Sequence, residues 1–170
     1  MFKVRLLSSI VLMILMLFFV ITGGKFLLGA VAFLSLVAMM EFMRMAKIHK
    51  SALAVPGYAS VGLLYVVLLV NRTEFLLPIA VFFLLAVMAV YVVAFPKYRV
   101  EQMLYLFFGF FYAGLMISYI YQVRQLPGGT FSVWLIFIAA WGSDVCAYCA
   151  GMLFGKHKAF PVLSPKKTWE

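Results

Sequence analysis

The sequence predicts an all-α, polytopic membrane protein: a bundle of about six transmembrane helices with its N-terminus in the cytoplasm. Hydrophobic residues make up 67% of the chain and charged residues 11%, against about 25% charged in a soluble domain. The mean hydropathy is +1.13. The apolar residues form continuous runs, not the alternating segments of roughly 10 residues that mark membrane barrels. Lipid can solvate such a surface, and in lipid a helix satisfies its own backbone hydrogen bonds.

Six runs without a charged residue follow one another along the chain. A helix needs about 20 residues to cross a bilayer, and most runs reach that length. Phe26–Met40 is shorter, and it spans only if Glu41 and Arg44 snorkel toward the headgroups from its inner end. The runs are Leu6–Gly24, Phe26–Met40, Ser51–Asn71, Phe75–Pro96, Gln102–Val123 and Gln125–Ser143.

The basic residues favour one orientation of this bundle. Three of the 14 Lys and Arg residues, namely Lys25, Arg72 and Arg124, fall on one side of the membrane, which leaves 11 on the side of the N-terminus. The positive-inside rule makes that side cytoplasmic. A net charge of +9 predicts attraction to anionic membrane lipids. Nucleic acid is not an expected partner, because the basic residues are scattered over short loops.

The last helix carries the first chemical signal. Gln125–Ser143 is expected to continue as helix through Asp144 to about Phe154, and Thr130 is a candidate N-cap. A stripe of small residues and the carboxylate share overlapping faces of this helix, so Asp144 is expected to point into the bundle. An acid within a membrane is functional by default, although a purely structural cap or lysine pair is the alternative. The stripe comprises Ala139, Ser143, Ala147, Gly151 and Gly155.

The segment after this helix is basic and interrupted by proline. Lys166 and Lys167 are flanked by the hydroxyls of Ser164 and Thr168, and Pro161 precedes them. Ammonium groups, hydroxyls and free backbone amides together suit a polyphosphate. A lysine pair beside a membrane also suits a simple headgroup anchor, so both interpretations stay open at this point.

Taken together, these features resemble the phosphatidate cytidylyltransferase family, also called CDP-diacylglycerol synthases. The matching residues are concentrated in about thirty positions, whereas the preceding part matches only as a multi-span topology. They are Asp144, Ala147, Tyr148, Gly151, the run Phe154-Gly155-Lys156-His157-Lys158, and the run Ser164-Pro165-Lys166-Lys167-Thr168-Trp169-Glu170.

The resemblance implies an enzyme of phospholipid biosynthesis that joins CTP to phosphatidate, releases pyrophosphate and requires Mg²⁺. It implies a multi-pass protein of the inner (plasma) membrane with its active face in the cytoplasm. By this resemblance Asp144 is a catalytic residue and magnesium ligand, Lys166 and Lys167 hold phosphates, and Ser164 and Thr168 assist them. The same comparison makes Lys156, His157 and Lys158 substrate-binding residues, although His157 is equally explained as an interfacial histidine.

The resemblance also implies that residues 1–155 form the transmembrane bundle and 156–170 begin a cytoplasmic nucleotide-binding segment. Family members continue past this motif with further acids and lysines, so the ligands of a second metal are expected beyond Glu170. We therefore expect these 170 residues to be an N-terminal part that does not turn over CTP alone. The oligomeric state stays open, a homodimer being one option.

Two alternatives remain from the sequence. A transporter or assembly subunit could use Asp144 as an ion site, and a related enzyme could use another lipid acceptor, since apolar walls do not distinguish acyl chains. Cys146 and Cys149 lack the further ligands of a zinc site and are expected to be small packing residues.

Overall fold

Helices dominate the computed structural model, which describes residues 2–160 and 164–169, with the side chains of 7–159, 164 and 167–169. A π-helical segment, Gly109–Met116, joins α5 to α6, and a short 3₁₀ turn, Thr73–Phe75, precedes α4. The elements are α1 (Phe2–Thr22), α2 (Gly24–Met45), α3 (Ala54–Leu69), α4 (Leu76–Val93), α5 (Val100–Phe108), α6 (Ile117–Gln125), α7 (Gly129–Phe154), β1 (Lys158–Phe160) and β2 (Ser164–Thr168).

The helices follow the predicted apolar runs and confirm the all-α, polytopic membrane fold. Within the described residues, four helices are long and apolar enough to cross a membrane, and two apolar helices are shorter. Six crossings therefore stay a prediction. The four are Gly24–Met45, Thr73–Val93, Val100–Gln125 and Gly129–Phe154, and the shorter two are Leu7–Thr22 and Ala54–Leu69.

Two helix ends differ in detail from the prediction. The short run Phe26–Met40 lies within the longer α2, whose last turns carry an exposed pair, with Arg44 Nη1 2.8 Å from Glu41 Oε1. Thr130 is not an N-cap, because α7 already begins at Gly129. Gly128 precedes it with a φ of 74°, a conformation that glycine adopts without a steric cost.

The chain divides into two compact units, Met1–Pro127 and Gly128–Glu170. The first contains α1 to α6, and the second contains α7 and the two strands. The second unit adds a small antiparallel β-hairpin to a fold predicted as wholly helical. The predicted division at residue 155 between a membrane bundle and a cytoplasmic segment stays a prediction.

Helix α2 is central to the first unit, where it packs against α1, α3, α5, α6 and the π-helical segment. Glycines permit the closest of these approaches. A Cβ built on Gly57 would lie 2.6 Å from Met39 Cε and 2.8 Å from Leu106 Cδ1, and one on Gly109 would lie 2.7 Å from Met39 Sδ. Met39 and Leu106 are fully buried there, so three helices share one core.

Ser35, Tyr65 and Ser118 bring hydroxyl groups into this core, and each of these hydroxyls is hydrogen-bonded. The hydroxyls of Ser35 in α2 and Tyr65 in α3 lie 2.5 Å apart. The Gln122 side chain donates to the Ser118 hydroxyl, which itself donates to the carbonyl of Leu115. Each bond satisfies a group that would otherwise be costly to bury in an apolar interior.

Two inner helices end in the same hydrogen-bonded turn. After α2, Lys47 N–H donates to Arg44 O and Ile48 N–H donates to Met43 O. After α3, the corresponding bonds run from Asn71 to Leu68 and from Arg72 to Val67. The pivotal residues are left-handed, with φ of 58° at Lys47 and 56° at Asn71. Glycine is usual at this position and asparagine is common, whereas a lysine carries a steric cost of about 1–2 kcal/mol.

The far end of α1 is completed by a side chain from α6. Arg124 Nε donates to the carbonyl of Val20 at 3.2 Å, and its Nη2 lies 3.5 Å from the carbonyl of Ile21. A helix end leaves such carbonyls without intrahelical partners. The guanidinium reaches them over Gly23, which is buried and has a φ of 64°.

We expect Gly23→Ala to lower the free energy of unfolding by about 1–2 kcal/mol, because a non-glycine residue is strained at this φ. The new Cβ would also lie 3.1 Å from Arg124 Nη2. Thermal unfolding in detergent measures the effect. Gly29→Ala is the matched control, since Gly29 lies inside α2 and its Cβ would meet no described atom within 4 Å. Equal midpoints for the two variants would contradict the prediction.

Candidate functional site

The second unit contains every residue that the sequence singled out for chemistry, and α7 positions the first of them. Asp144 lies well inside this helix, ten residues before its end at Phe154. Its side chain is exposed, and it has no ion pair or hydrogen bond with any residue that the structure describes. The prediction that Asp144 points into the bundle concerns its placement against the other compact unit, and it stays a prediction. Within its own unit, the carboxylate is accessible to a cation or a ligand.

The exposure of Asp144 is shared by the helix around it. Only 6% of the most apolar stretch of α7 is buried, and its small residues Ala139, Ser143 and Ala147 are exposed together with large ones such as Val145. Cys146 is exposed as well, so its expected packing role is not confirmed among the described residues. The middle of α7 thus offers a long apolar surface interrupted by one carboxylate.

The glycines at the end of α7 receive the hairpin. A Cβ on Gly155 would lie 2.8 Å from Thr168 Oγ1 and 2.9 Å from its Cγ2, and would overlap the carbonyl oxygen of Gly151. A Cβ on Gly151 would lie 3.4 Å from the same Oγ1. The C-terminal end of the small-residue stripe therefore leaves space for the Thr168 side chain. Close approach of a neighbouring helix backbone to the stripe, the role such stripes have in membrane helices, stays a prediction.

Thr168 presents an unusual hydroxyl at this contact. Its Oγ1 is buried and has no hydrogen-bond partner among the described residues. Buried hydroxyls are nearly always paired, so an orphaned one needs an explanation. The predicted role of Thr168 beside a substrate phosphate would supply a partner, and that role stays a prediction.

The hairpin brings two separate basic runs together. Lys158 pairs with Thr168 and Phe160 with Ser164, and Trp169 N–H donates to the carbonyl of His157 at 3.0 Å. Residues 156–158 and 166–169 are therefore neighbours, although residues 159–165 separate them in the sequence. A single basic surface can contact one polyphosphate more effectively than two separate runs, because the lysines act on the same charge.

The register of the hairpin shifts between its two pairs. One residue separates the paired positions 158 and 160 on β1, whereas three separate 164 and 168 on β2. The extra residues lie at positions 165–167, which include Pro165 and both lysines of the pair. Proline lacks the N–H that a regular ladder needs and occurs at such irregularities. The prolines of this segment predicted that the helix does not continue here, but they did not predict β1 and β2.

The predicted substrate-binding residues differ in their surroundings. Lys156, His157, Lys158 and Lys167 are exposed, and Ser164 is half-buried. The backbone of Lys166 lies in β2, but its side chain falls outside the described side chains. All these residues lie on the hairpin or the short link before it, so their predicted roles concern a single structural element.

Asp144 lies on the same helix face as the hairpin contact but at a distance from it. Gly151 and Gly155 follow it by seven and eleven residues, so the carboxylate is roughly 10–16 Å from them along the helix axis. This separation is well below the hydrocarbon thickness of about 30 Å. Asp144 makes no ion pair with a lysine whose side chain the structure describes, and a ligand that joins it to the hairpin would have to extend along α7.

Asp144 can provide one ligand to a magnesium ion. Mg²⁺ is commonly held by one or two carboxylates together with substrate phosphates and water. No group of three or more His, Cys, Asp or Glu side chains able to hold a metal occurs in the described residues. The accessible, unpaired carboxylate thus fits a metal that takes most of its ligands from substrate and solvent.

The fold and this site define a class: a helical membrane protein that presents a carboxylate and a lysine-rich hairpin on one structural unit. Comparison with known sequences identifies the particular family within this class. The sequence profile of the cytidylyltransferase family matches residues 3–170. This chain belongs to that family.

Its similarity to curated relatives extends over nearly its whole length. It is 30% identical to the phosphatidate cytidylyltransferase of Staphylococcus saprophyticus and 29% identical to that of Staphylococcus haemolyticus, each over 175 residues. It is 30% identical to the Staphylococcus aureus protein of the same name over 173 residues. Each alignment covers 99% of this chain and 65% of the relative. No solved structure matches the chain significantly.

Proposed function

We propose that the protein carrying this chain transfers a cytidylyl group from CTP to phosphatidate, forming CDP-diacylglycerol and pyrophosphate in phospholipid biosynthesis. The observation that carries the proposal is the hairpin, which joins the two basic runs beside the face of α7 that bears Asp144. The relatives named phosphatidate cytidylyltransferase support it, because they align over 99% of the chain. No specific observation favours the alternative of a transporter or an assembly subunit.

The proposed reaction is a nucleotidyl transfer between two phosphate esters. A phosphate oxygen of phosphatidate forms a bond to the α-phosphorus of CTP, and the bond from that phosphorus to the bridging oxygen breaks, so pyrophosphate leaves with the electron pair. The scheme requires no covalent bond between the protein and either substrate. Its contribution is to position the two esters and to stabilise the charge that develops on the transferred phosphoryl group.

Each predicted residue has a defined part in this scheme. The ammonium groups of Lys166 and Lys167 bind the phosphates of CTP, and the hydroxyls of Ser164 and Thr168 assist them. A bound Mg²⁺ would neutralise phosphate charge, and Asp144 would be a protein ligand for it. Lys156 and His157 precede β1 and Lys158 begins it. These three residues guide the lipid phosphate or the nucleotide toward the hairpin.

The proposed location follows from the charges. The lysine-rich hairpin faces the cytoplasm, where CTP is available, and the helices hold the protein in the inner (plasma) membrane. Phosphatidate is a membrane lipid, so it can reach the hairpin from the bilayer surface. A homodimer is compatible with this arrangement and stays a prediction.

The complete protein, reconstituted with phosphatidate and supplied with CTP and Mg²⁺, is expected to form CDP-diacylglycerol and an equal amount of pyrophosphate. Thin-layer separation of the labelled lipid and an enzymatic pyrophosphate assay measure the two products. Diacylglycerol in place of phosphatidate is the control, because it lacks the attacking phosphate. The 170-residue chain alone is expected to give no product. Absence of both products with the complete protein would overturn the proposal.

A further inference from the structure

A cavity of about 330 Å³ lies at the meeting of α2 and α5, within the first unit. It is separate in sequence from Asp144 and the hairpin, and no step of the proposed reaction uses it. Its volume is within the lower part of the range of small-ligand sites. The side chains around it include Met45, Lys47, Arg99, Glu101, Gln102 and Tyr105.

One glutamine holds the walls of this cavity together. Gln102 Nε2 donates to the carbonyl of Ala46 at 3.1 Å, at the end of α2. Its Oε1 accepts from the backbone N–H of Arg99 at 3.0 Å, at the start of α5. Because both ends of the amide are engaged, the loops after α2 and before α5 are fixed to each other. The cavity is therefore preformed, and a ligand does not have to order it.

The cavity carries a net positive charge. Arg99 is engaged with Glu101, with Nε 3.0 Å from Oε2, whereas Lys47 has no ion pair with any residue in the described part of the chain. Two cations and one carboxylate leave one positive charge in excess. Lys50 and Lys97 lie exposed on the same two loops, which adds to the attraction for an anion at this end of the helices.

The backbone at Lys47 is an independent sign that its side chain matters here. Lys47 occupies the left-handed position of the turn that ends α2, with a φ of 58°. Glycine fits that position best. A residue held in an unfavourable conformation suggests a function for that residue, and the function available to Lys47 is to place its ammonium group at the cavity.

The cavity also has an apolar side. Met45 and Tyr105 both line it, and they are 59% and 43% exposed. Met45 is the last residue of α2 and Tyr105 lies in the second turn of α5, so both are near the charged loops. A small soluble anion would make no favourable contact with such an apolar surface. An anionic lipid would, because its headgroup binds a basic surface and the first carbons of its acyl chains bind an adjacent apolar one.

We propose that this cavity binds the phosphate of an anionic membrane phospholipid, with Lys47 and Arg99 as its cationic contacts and Met45 and Tyr105 beside the upper acyl chains. The site is distinct from the proposed CTP site, and the inference holds whether or not the protein transfers cytidylyl groups. Lipid at this position would fix the junction of α2 and α5 to the membrane surface.

The test uses the complete protein in neutral detergent, with lipid binding measured by native mass spectrometry against phosphatidylglycerol. Lys47→Gly is expected to weaken binding roughly fivefold, the contribution of one basic residue near an anionic surface. The variant relieves a left-handed lysine, so its thermal unfolding midpoint is expected to equal or exceed that of the wild type. Lys47→Arg keeps the charge and is expected to keep the affinity.

Asn71→Gly is the matched control. Asn71 has the same conformation in the same kind of turn after α3, but it does not line the cavity. Its replacement is expected to leave lipid binding unchanged. Unchanged binding by Lys47→Gly, or an equal loss in Asn71→Gly, would overturn the proposal. Equal binding of phosphatidylcholine would refute recognition of a net negative charge, and equal stabilisation by inorganic phosphate would refute a lipid ligand.

Discussion

Replacing Asp144 with asparagine should reduce the kcat for CDP-diacylglycerol formation by about 10²–10³-fold, the usual consequence of removing one charge-stabilising group from an active site. Asparagine keeps the size of the side chain but loses the negative charge that would bind a metal. The side chain is exposed and has no ion pair among the described residues. The free energy of unfolding should therefore change by no more than about 0.5 kcal/mol.

Two measurements separate this role from a structural one. The Mg²⁺ concentration needed for half-maximal activity should rise in Asp144→Asn, while the thermal unfolding midpoint stays constant. Ser143→Ala is the neighbouring control, because the Ser143 hydroxyl donates to the carbonyl of Ala140 in the same helix. Full activity of Asp144→Asn, or an equal loss in Ser143→Ala, would show that the carboxylate does not take part.

Adding one methyl group at Gly155 should also impair the proposed active site, in this case at the hairpin and not at Asp144. The Cβ of Gly155→Ala would overlap the carbonyl oxygen of Gly151 and lie 2.8 Å from Thr168 Oγ1. The first of these is backbone, which cannot rotate away, so α7 or the hairpin has to move. Overpacking of this kind costs about 1–3 kcal/mol, and displacement of a binding element by about 1 Å can lower activity about 100-fold.

Gly142→Ala provides the comparison on the same helix, because a Cβ at Gly142 would meet no described atom within 4 Å. Activity and CTP affinity should fall in Gly155→Ala and remain close to wild type in Gly142→Ala. A fluorescent CTP analogue reports the affinity directly. If the two variants behaved alike, the close contact between α7 and the hairpin would have no part in nucleotide binding.

The helical architecture was predictable because its cause is composition. A run such as Phe75–Pro96 has no charged residue, and only a helix can bury its backbone polar groups in lipid. The corresponding helix α4, Leu76–Val93, differs from the run by a few residues at each end. Such differences reflect local turn chemistry, as at Gly128, where a left-handed glycine sets the start of α7 one residue before the predicted cap.

The structural features that the sequence did not predict depend on contacts between residues distant in sequence or on backbone geometry. The hairpin forms because 158 pairs with 168 and 160 with 164, and neither short strand has an alternating pattern long enough to reveal it. The π-helical segment Gly109–Met116 has the same apolar composition as the α-helices beside it. The small-residue stripe did not predict the close contact between Gly155 and the Thr168 side chain, because that contact depends on the hairpin.

The bond between Arg124 and Val20 has a consequence for biosynthesis. The guanidinium and the carbonyl belong to residues 104 positions apart, so the ribosome completes α1 long before it makes the side chain that terminates it. Until α6 has emerged, the carbonyls at that end have only water or lipid headgroups as partners. The C-terminal end of α1 therefore gains this hydrogen bond only once α6 is in place.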